Sequence, residues 1–224
     1  MELRFLGHAA FALSDGGTTV LVDPFLTGNP RAAASADEVD ATTILLTHGH
    51  ADHLGDTVAI AKRTGATVVA VVELANEIGA EGVEVRDPNL GGTETFEWGS
   101  VKFVPAWHTS NSPSGTPSIA AGLLIDFGGT TVYHLGDTCL FSDLQLVGRN
   151  REIDVALMPI GGHYTMDRHD AVEAARLVGA KTVVPIHYDT FPPVETDAQA
   201  FKADVEGQTG SKVVVLAPGE TWSP

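Results

Sequence analysis

Apolar residues along the chain fall in short runs, separated by glycine, proline and acidic punctuation. Residues 3–6, 10–13 and 18–22 read as strands, and Asp15-Gly16-Gly17 joins the last two into a hairpin. Asp23-Pro24 ends the third strand, and the small, polar stretch 32–40 reads as a connection or a weak helix. The runs 43–46 and 67–72 have strand length. Between them Leu54, Val58 and Ala61 share one face of a helix expected over 53–63 and stopped by Gly65. A short helix over 73–78 and a strand over 83–85 follow. Two further hairpins are expected, 93–98 with 101–106 around Gly99, and 119–127 with 130–135 around Gly128-Gly129. The remainder alternates: strand 155–158, helix 167–178, strand 182–186, helix 197–208, strand 212–216. No repeat or linker interrupts the pattern. Hairpins followed by strand–helix alternation in both halves predict an α/β protein, one domain over 1–224, with helices outside its sheets.

Composition narrows the functional classes. With 43% hydrophobic and 19% charged residues in 224, the chain is neither disordered nor too short for a substantial core. Thirteen basic against 29 acidic residues give a net charge of −16, a surface that repels phosphate backbones and anionic membranes. The partner expected is a small-molecule substrate, not nucleic acid or membrane; self-association stays open. Bound divalent cations would offset part of that charge at one point. The single cysteine, Cys139, forms no intrachain disulfide, which suits a reducing compartment, and it reads as buried packing. The opening Met1-Glu2-Leu3-Arg4 and the short apolar run 9–13 do not make a secretory leader, and no run reaches the ~20 residues that span a bilayer. A cytoplasmic protein is the expectation.

The chemistry concentrates in Thr47-His48-Gly49-His50-Ala51-Asp52-His53, a His-x-His-x-Asp-His pattern. In an extended segment residues two apart point the same way, so His48 and His50 can grip one metal. The chain then turns, and Asp52 and His53 project towards a second position, with small Gly49 and Ala51 letting the backbone approach. The alternative is a histidine-rich surface loop. Further candidates stand just past apolar strands, as His48 does: His108, Asp137 and His187. Ligands gathered at strand ends along one sheet edge are how α/β folds build sites.

These residues resemble the metallo-β-lactamase-fold hydrolases. The nearest likeness is to small metal-dependent hydrolases related to the ascorbate-phosphate lactonase branch. The likeness runs through Gly7-His8, Val22-Asp23-Pro24-Phe25, LTHGHADHLGD (46–56), YHLGDT (133–138), FSDLQLVG (141–148), Pro159-Ile160-Gly161 and PIHYDTFP (185–192), nearly end to end. It implies a four-layer αββα sandwich with metals at one edge. It also implies His48, His50 and His108 at one metal, Asp52, His53 and His187 at the other, and Asp137 bridging. The cysteine ligand of the lactamases has no counterpart. The di-iron branch of the fold has Glu where this chain has His50, so His50 favours hydrolysis. Many of the small hydrolases read Pro-Ile-Gly-Asp-Asn-Phe-Thr-Met where this chain reads Pro159-Ile160-Gly161-Gly162-His163-Tyr164-Thr165-Met166. His163 is therefore either a proton donor, a substrate contact, or a structural hydrogen-bonder.

The expected mechanism is hydrolysis of a small ester, lactone or phosphoester by a hydroxide shared between two divalent cations, which lower the pKa of water towards ~7. Three histidines without a thiolate favour Zn²⁺, and the carboxylates also admit Mn²⁺ or Fe²⁺. Asp52 or His163 would carry the proton to the leaving group. A nucleotide phosphodiesterase and a non-catalytic metal-binding scaffold or sensor are the alternatives. Asp23 is expected to fix the tautomer of a ligand imidazole. Asp56 is expected to cap a helix or support a ligand, His134 to sit in the core or behind a ligand, His169 at the surface, and Tyr188 in packing. His8 reads as a structural hydrogen-bonder, a ligand-orienting group or a substrate contact, and the polar stretch 109–115 as a wall of the pocket or a solvated loop.

Overall fold

The computed structural model describes residues 1–149 and 151–224. The first sheet gathers β1 (Glu2–Gly7), β2 (Ala10–Asp15), β3 (Thr18–Val22), β4 (Thr43–Leu45), β5 (Thr67–Val69) and β6 (Val85–Arg86). The helices α1 (Ala51–Leu54), α2 (Thr57–Thr64) and α3 (Val72–Ala80) lie between its later strands in sequence. The second sheet gathers β7 (Thr93–Phe96), β8 (Gly99–Asn111), β9 (Pro117–Phe127), β10 (Thr130–His134), β11 (Val155–Pro159), β12 (Thr182–Ile186) and β13 (Lys212–Val213). The helices α4 (Leu144–Gly148), α5 (Arg168–Val178) and α6 (Ala198–Gln208) belong to this half. A last short strand, β14 (Thr221–Trp222), returns to the outer edge of the first sheet beside β1.

Both sheets follow one plan. The early strands meander antiparallel, β1-β2-β3 and β7-β8-β9-β10. Parallel strands then extend each sheet, β4-β5-β6 and β11-β12-β13. Period-two alternation assigns the two faces of the second sheet. Val155 and Leu157 of β11, with Leu123, Ile125 and Phe127 of β9, join residues of the first sheet in the interior between the sheets. Their neighbours Ala156, Met158 and Leu124 face the other way and pack with Ala171, Ala175 and Val178 of α5 and Phe201 of α6. On the first sheet, Ile60 and Ala61 of α2 and Leu74, Ala75 and Ile78 of α3 complete the burial. The result is the expected helix–sheet–sheet–helix sandwich.

Three expected elements differ, each for a local reason. The helix expected over 53–63 is broken into α1 and α2 at Gly55, which adopts φ 42° where a β-carbon would lie 2.5 Å from the Pro24 carbonyl oxygen. The stretch 32–40 forms turns and no helix. The strand expected to end at 106 runs on to Asn111, with its register against β9 shifting between Pro105 and Thr109.

Candidate metal centre

Asp23, His48, Asp137 and His187 follow β3, β4, β10 and β12, so their side chains are delivered to the carboxyl ends of strands in both sheets. His108 arrives differently from the strand-end expectation. It sits inside β8 at the register shift, an irregularity that turns a side chain out of the regular alternation. Gly49 assists this arrangement, because a β-carbon there would collide with the Asn111 carbonyl of the same strand. Asp52 and His53 stand on the single turn of α1.

The seven residues singled out as ligands converge. His48, His50 and His108 place one donor atom each within 4.8 Å of one another, and so do His48, His53 and Asp137. A third group joins Asp52, His53 and His187 with His8. Asp137 lies between the groups, its carboxylate 3.3 Å from His53 Nε2, 3.1 Å from His187 Nε2, 3.6 Å from His108 Nε2 and 4.0 Å from His48 Nε2. Among the described residues, seven buried side-chain polar atoms lack a hydrogen-bond partner. Four of them are His53 Nε2, Asp137 Oδ1 and both ring nitrogens of His187. Unsatisfied donors and acceptors are costly when buried, so such a concentration marks a place built for a group that binds there. Imidazole and carboxylate donors without thiolate suit a borderline or hard divalent metal.

Asp23 organises the rings from behind, as expected of it. His53 Nδ1–H donates to its Oδ2 at 2.7 Å, and the Thr47 hydroxyl donates to the same oxygen at 2.6 Å. With its proton so used, the Thr47 oxygen accepts from His48 Nδ1 at 3.0 Å. One buried carboxylate thus turns Nε2 of both rings towards the centre, directly for His53 and through Thr47 for His48. Thr47 carried no mark of its own in the sequence beyond preceding the motif.

The charges are tightly coupled. Burial works to raise the Asp137 carboxyl, but His187 and His53 hold it well below the usual carboxylate range. Burial works against a charged His53, yet Asp137 and Asp23 on either side hold its pKa well above the ordinary value. Burial works to raise the Asp23 carboxyl, but His53, with His134 and the Thr47 hydroxyl, holds it below its ordinary value. His48 is pushed well below its ordinary value by burial and by its neighbour His53. The carboxylates therefore demand positive charge at the centre, which His53 supplies as a proton and a cation would supply in its place.

The centre opens into a cleft of about 530 Å³. His50, Asp52, His108, Asp137 and His187 form its floor, and Phe25, Tyr164, Phe191 and Pro193 its walls, with Thr109 from the polar stretch 109–115. No lysine or arginine lines it among the described residues. The aromatic walls escaped the sequence reading, although Phe25 and Phe191 lie within stretches it singled out. His163 is exposed, with its ring against Tyr164, and it is Tyr164 that lines the cleft. Cys139 is exposed and not buried, which corrects the packing expected of it. Asp56 accepts from the Leu26 and Thr27 amides and does not cap α2. His134 is fully buried, bridging the Ala9 carbonyl and the Gly136 amide. His169 is exposed, and Tyr188 packs half-buried against the second core. No helix is long and apolar enough to cross a membrane among the described residues.

Backbone strain clusters at the same place. Among the described residues, five non-glycine residues have positive φ, and three of them, His8 at 59°, Asp23 at 45° and His187 at 55°, surround the centre. Such conformations persist only where the surroundings over-determine them.

Comparison with known proteins agrees with this geometry. Residues 2–187 match the family model described as the beta-lactamase superfamily domain. A UPF0173 metal-dependent hydrolase of Thermus thermophilus is 48% identical over 221 residues, covering 98% of this chain and 97% of that protein. Another from Pelotomaculum thermopropionicum is 45% identical over 226 residues, covering 99% of both. Among solved structures, the metallo hydrolase Igni18 of Ignicoccus hospitalis superposes with a TM-score of 0.90 at 35% identity, covering 99% of this chain and 97% of its own. The chain belongs to the metallo-β-lactamase superfamily and is a metal-dependent hydrolase of that fold.

Proposed function

We propose that the enzyme hydrolyses a small ester or lactone at a pair of divalent cations. The observation that carries this reading is the convergence of seven nitrogen and oxygen donors, four of their buried atoms otherwise unpaired, on the floor of an aromatic-walled cleft. His48, His50 and His108 would hold one cation, and Asp52, His53 and His187 the other, with Asp137 between them. Zn²⁺ suits the three-histidine set best, and the carboxylates of the other set also suit Mn²⁺ or Fe²⁺. When bound, such a pair supplies a nucleophilic hydroxide at neutral pH and polarises the scissile oxygen.

The chain's own residues do the rest. Asp23 and Thr47 fix the tautomers that aim His53 and His48. Phe25, Phe191 and Pro193 exclude water from the apolar part of the substrate. Asp52, about one-third exposed at the cleft, would take the proton of the attacking water and return it to the leaving group. His163 faces away from that role because it stands outside the cleft lining.

The walls also favour a carbonyl over a phosphoryl substrate. Phosphate monoesters and nucleotides are held by lysine, arginine or clustered amides. This cleft offers none of the first two, in a chain of net charge −16. The reading extends to a cytoplasmic enzyme with no nucleic-acid or membrane partner.

Elemental mass spectrometry of protein purified without tag or chelator tests the metals, with two equivalents per chain expected. A panel of aryl esters, lactones and phosphomonoesters then tests the chemistry. Turnover of esters or lactones above phosphomonoesters is expected. Two bound equivalents with no turnover of any class would favour the scaffold or sensor.

A further inference from the structure

We propose that His8 is the positioning residue of the second cation site, holding Asp52 through its ring and His187 through its backbone. The inference rests on the two-cation reading above. His8 lies in the turn between β1 and β2, is 1% exposed, and takes part in none of the chemistry assigned so far. Its Nε2 lies 3.2 Å from Asp52 Oδ2, and its Nδ1 2.8 Å from Thr190 Oγ1. Its carbonyl accepts the His187 amide at 2.8 Å, and the two rings lie 4.0 Å apart between centroids. Residues 44 and 182 positions away are thus fastened to one side chain.

The hydrogen-bond network assigns the tautomer. If Nδ1 carried the proton, Nε2 and the Asp52 carboxylate would face each other as two acceptors at 3.2 Å. With the proton on Nε2, the ring donates to Asp52 and accepts from the Thr190 hydroxyl, which gives its proton to the ring at 2.8 Å in preference to the Tyr188 carbonyl at 3.4 Å. Asp52 is otherwise held only by its place on a one-turn helix and is one-third exposed. Held by one oxygen, it presents the other in a fixed direction. The left-handed backbone at His8 is what aims its carbonyl at His187 while its ring reaches Asp52.

The test is calorimetric titration of the chelator-treated full chain with Zn²⁺, comparing wild type with His8→Ala, His8→Gln and Thr190→Val. The wild type is expected to take two equivalents. His8→Ala should weaken one of them by about 10–100-fold, the cost of losing a group that orients a ligand, and leave the other within a few-fold. His8→Gln should recover most of that loss, since its amide N–H can still donate to Asp52. Thr190→Val should weaken the same equivalent by less. Should the histidine variants fail to fold by circular dichroism, Thr190→Val decides alone.

Unchanged affinities in His8→Ala overturn the proposal. So do equal losses at both equivalents, which mark a merely structural residue, and a glutamine variant as weak as alanine, which would make His8 a direct ligand. In the Thr190→Val arm, unchanged affinities or equal losses overturn it likewise. A wild type binding fewer than two equivalents overturns the two-cation reading itself, and the proposal with it.

Discussion

The two donor groups at the centre are built in contrasting ways. His48, His50 and His108 come from an extended segment and a bulged strand that touch side by side, with His50 and His108 partly open to the cleft. Asp52, His53 and His187 come from a helical turn and a loop after β12, with both histidines buried and His187 in a left-handed conformation. The first group is aligned by the side-by-side contact of its two segments, and two of its three donors are partly open, against only Asp52 in the second. The second depends on long-range fastening through Asp23 and the turn at residue 8. Accessibility governs exchange and fastening governs affinity, so the two positions should behave as unequal sites of one centre.

The severest way to break this contrast is to remove what the groups share. Asp137→Ala takes away the carboxylate that lies within 4.0 Å of donors from both. Both equivalents of metal should fall and turnover should drop by more than the ~10–100-fold that losing an orienting group costs; retention of full metal content with unchanged turnover would refute a shared role. Next in size, His108→Ala and His187→Ala should each lose one equivalent, not the same one. In chelator-release kinetics the wild type should give up one equivalent quickly and one slowly, the slow phase vanishing in His187→Ala. A single phase in wild type would erase the distinction.

A finer probe is Asp23→Asn. It keeps an acceptor but removes the charge that faces His53 directly and His48 only through Thr47. Affinity at the second site should fall by about 10–100-fold and at the first by less. Equal losses would mean that Asp23 serves both groups alike.

The smallest effect concerns pH and the scaffold behind the site. Burial depresses the pKa of His134, outweighing the opposing pull of Asp23. Its Nδ1 accepts from the Gly136 amide and would have to break that bond to take a proton. The folded state therefore binds fewer protons at this position than the unfolded chain, whose histidine titrates near 6.5. The stability it contributes is complete above that pH and is lost as pH falls below it. Between pH 7 and 5 the thermal midpoint of His134→Asn, which keeps an acceptor without a titrating ring, should decline less than that of wild type. Parallel declines would assign the acid sensitivity elsewhere.

Spacing and strand ends marked donors of both groups and left hidden how the chain delivers them. His-x-His needs only the period of an extended chain, and apolar strands ending before Asp137 and His187 marked those two. The break at Gly55 was not visible as such, because what forbids a side chain there is the Pro24 carbonyl 31 residues away. The bulge that delivers His108 depends on a mismatch between β8 and β9 that neither strand announces alone. Asp23 could be suspected from a strand end and a following proline, whereas Thr47 could not, since its role exists only once Asp23 is beside it. The exposure of Cys139 followed from the turn after Asp137, where apolar composition carries no information about which side faces water.

The strand β14 has a consequence for biosynthesis. Residues 221–222 pair with residues 3–4, and the Glu220 carbonyl accepts the Phe5 amide, so one edge of the first sheet is closed by a segment made more than 200 residues later. At ribosomal rates of about 5–20 residues per second, β1 waits on the order of ten seconds or more with that edge bare. During this interval the nascent chain presents an unpaired edge next to strands already able to meander, which is the state that invites pairing with a neighbour. Arg4 and Glu2, exposed on β1, place charge on that edge while it waits.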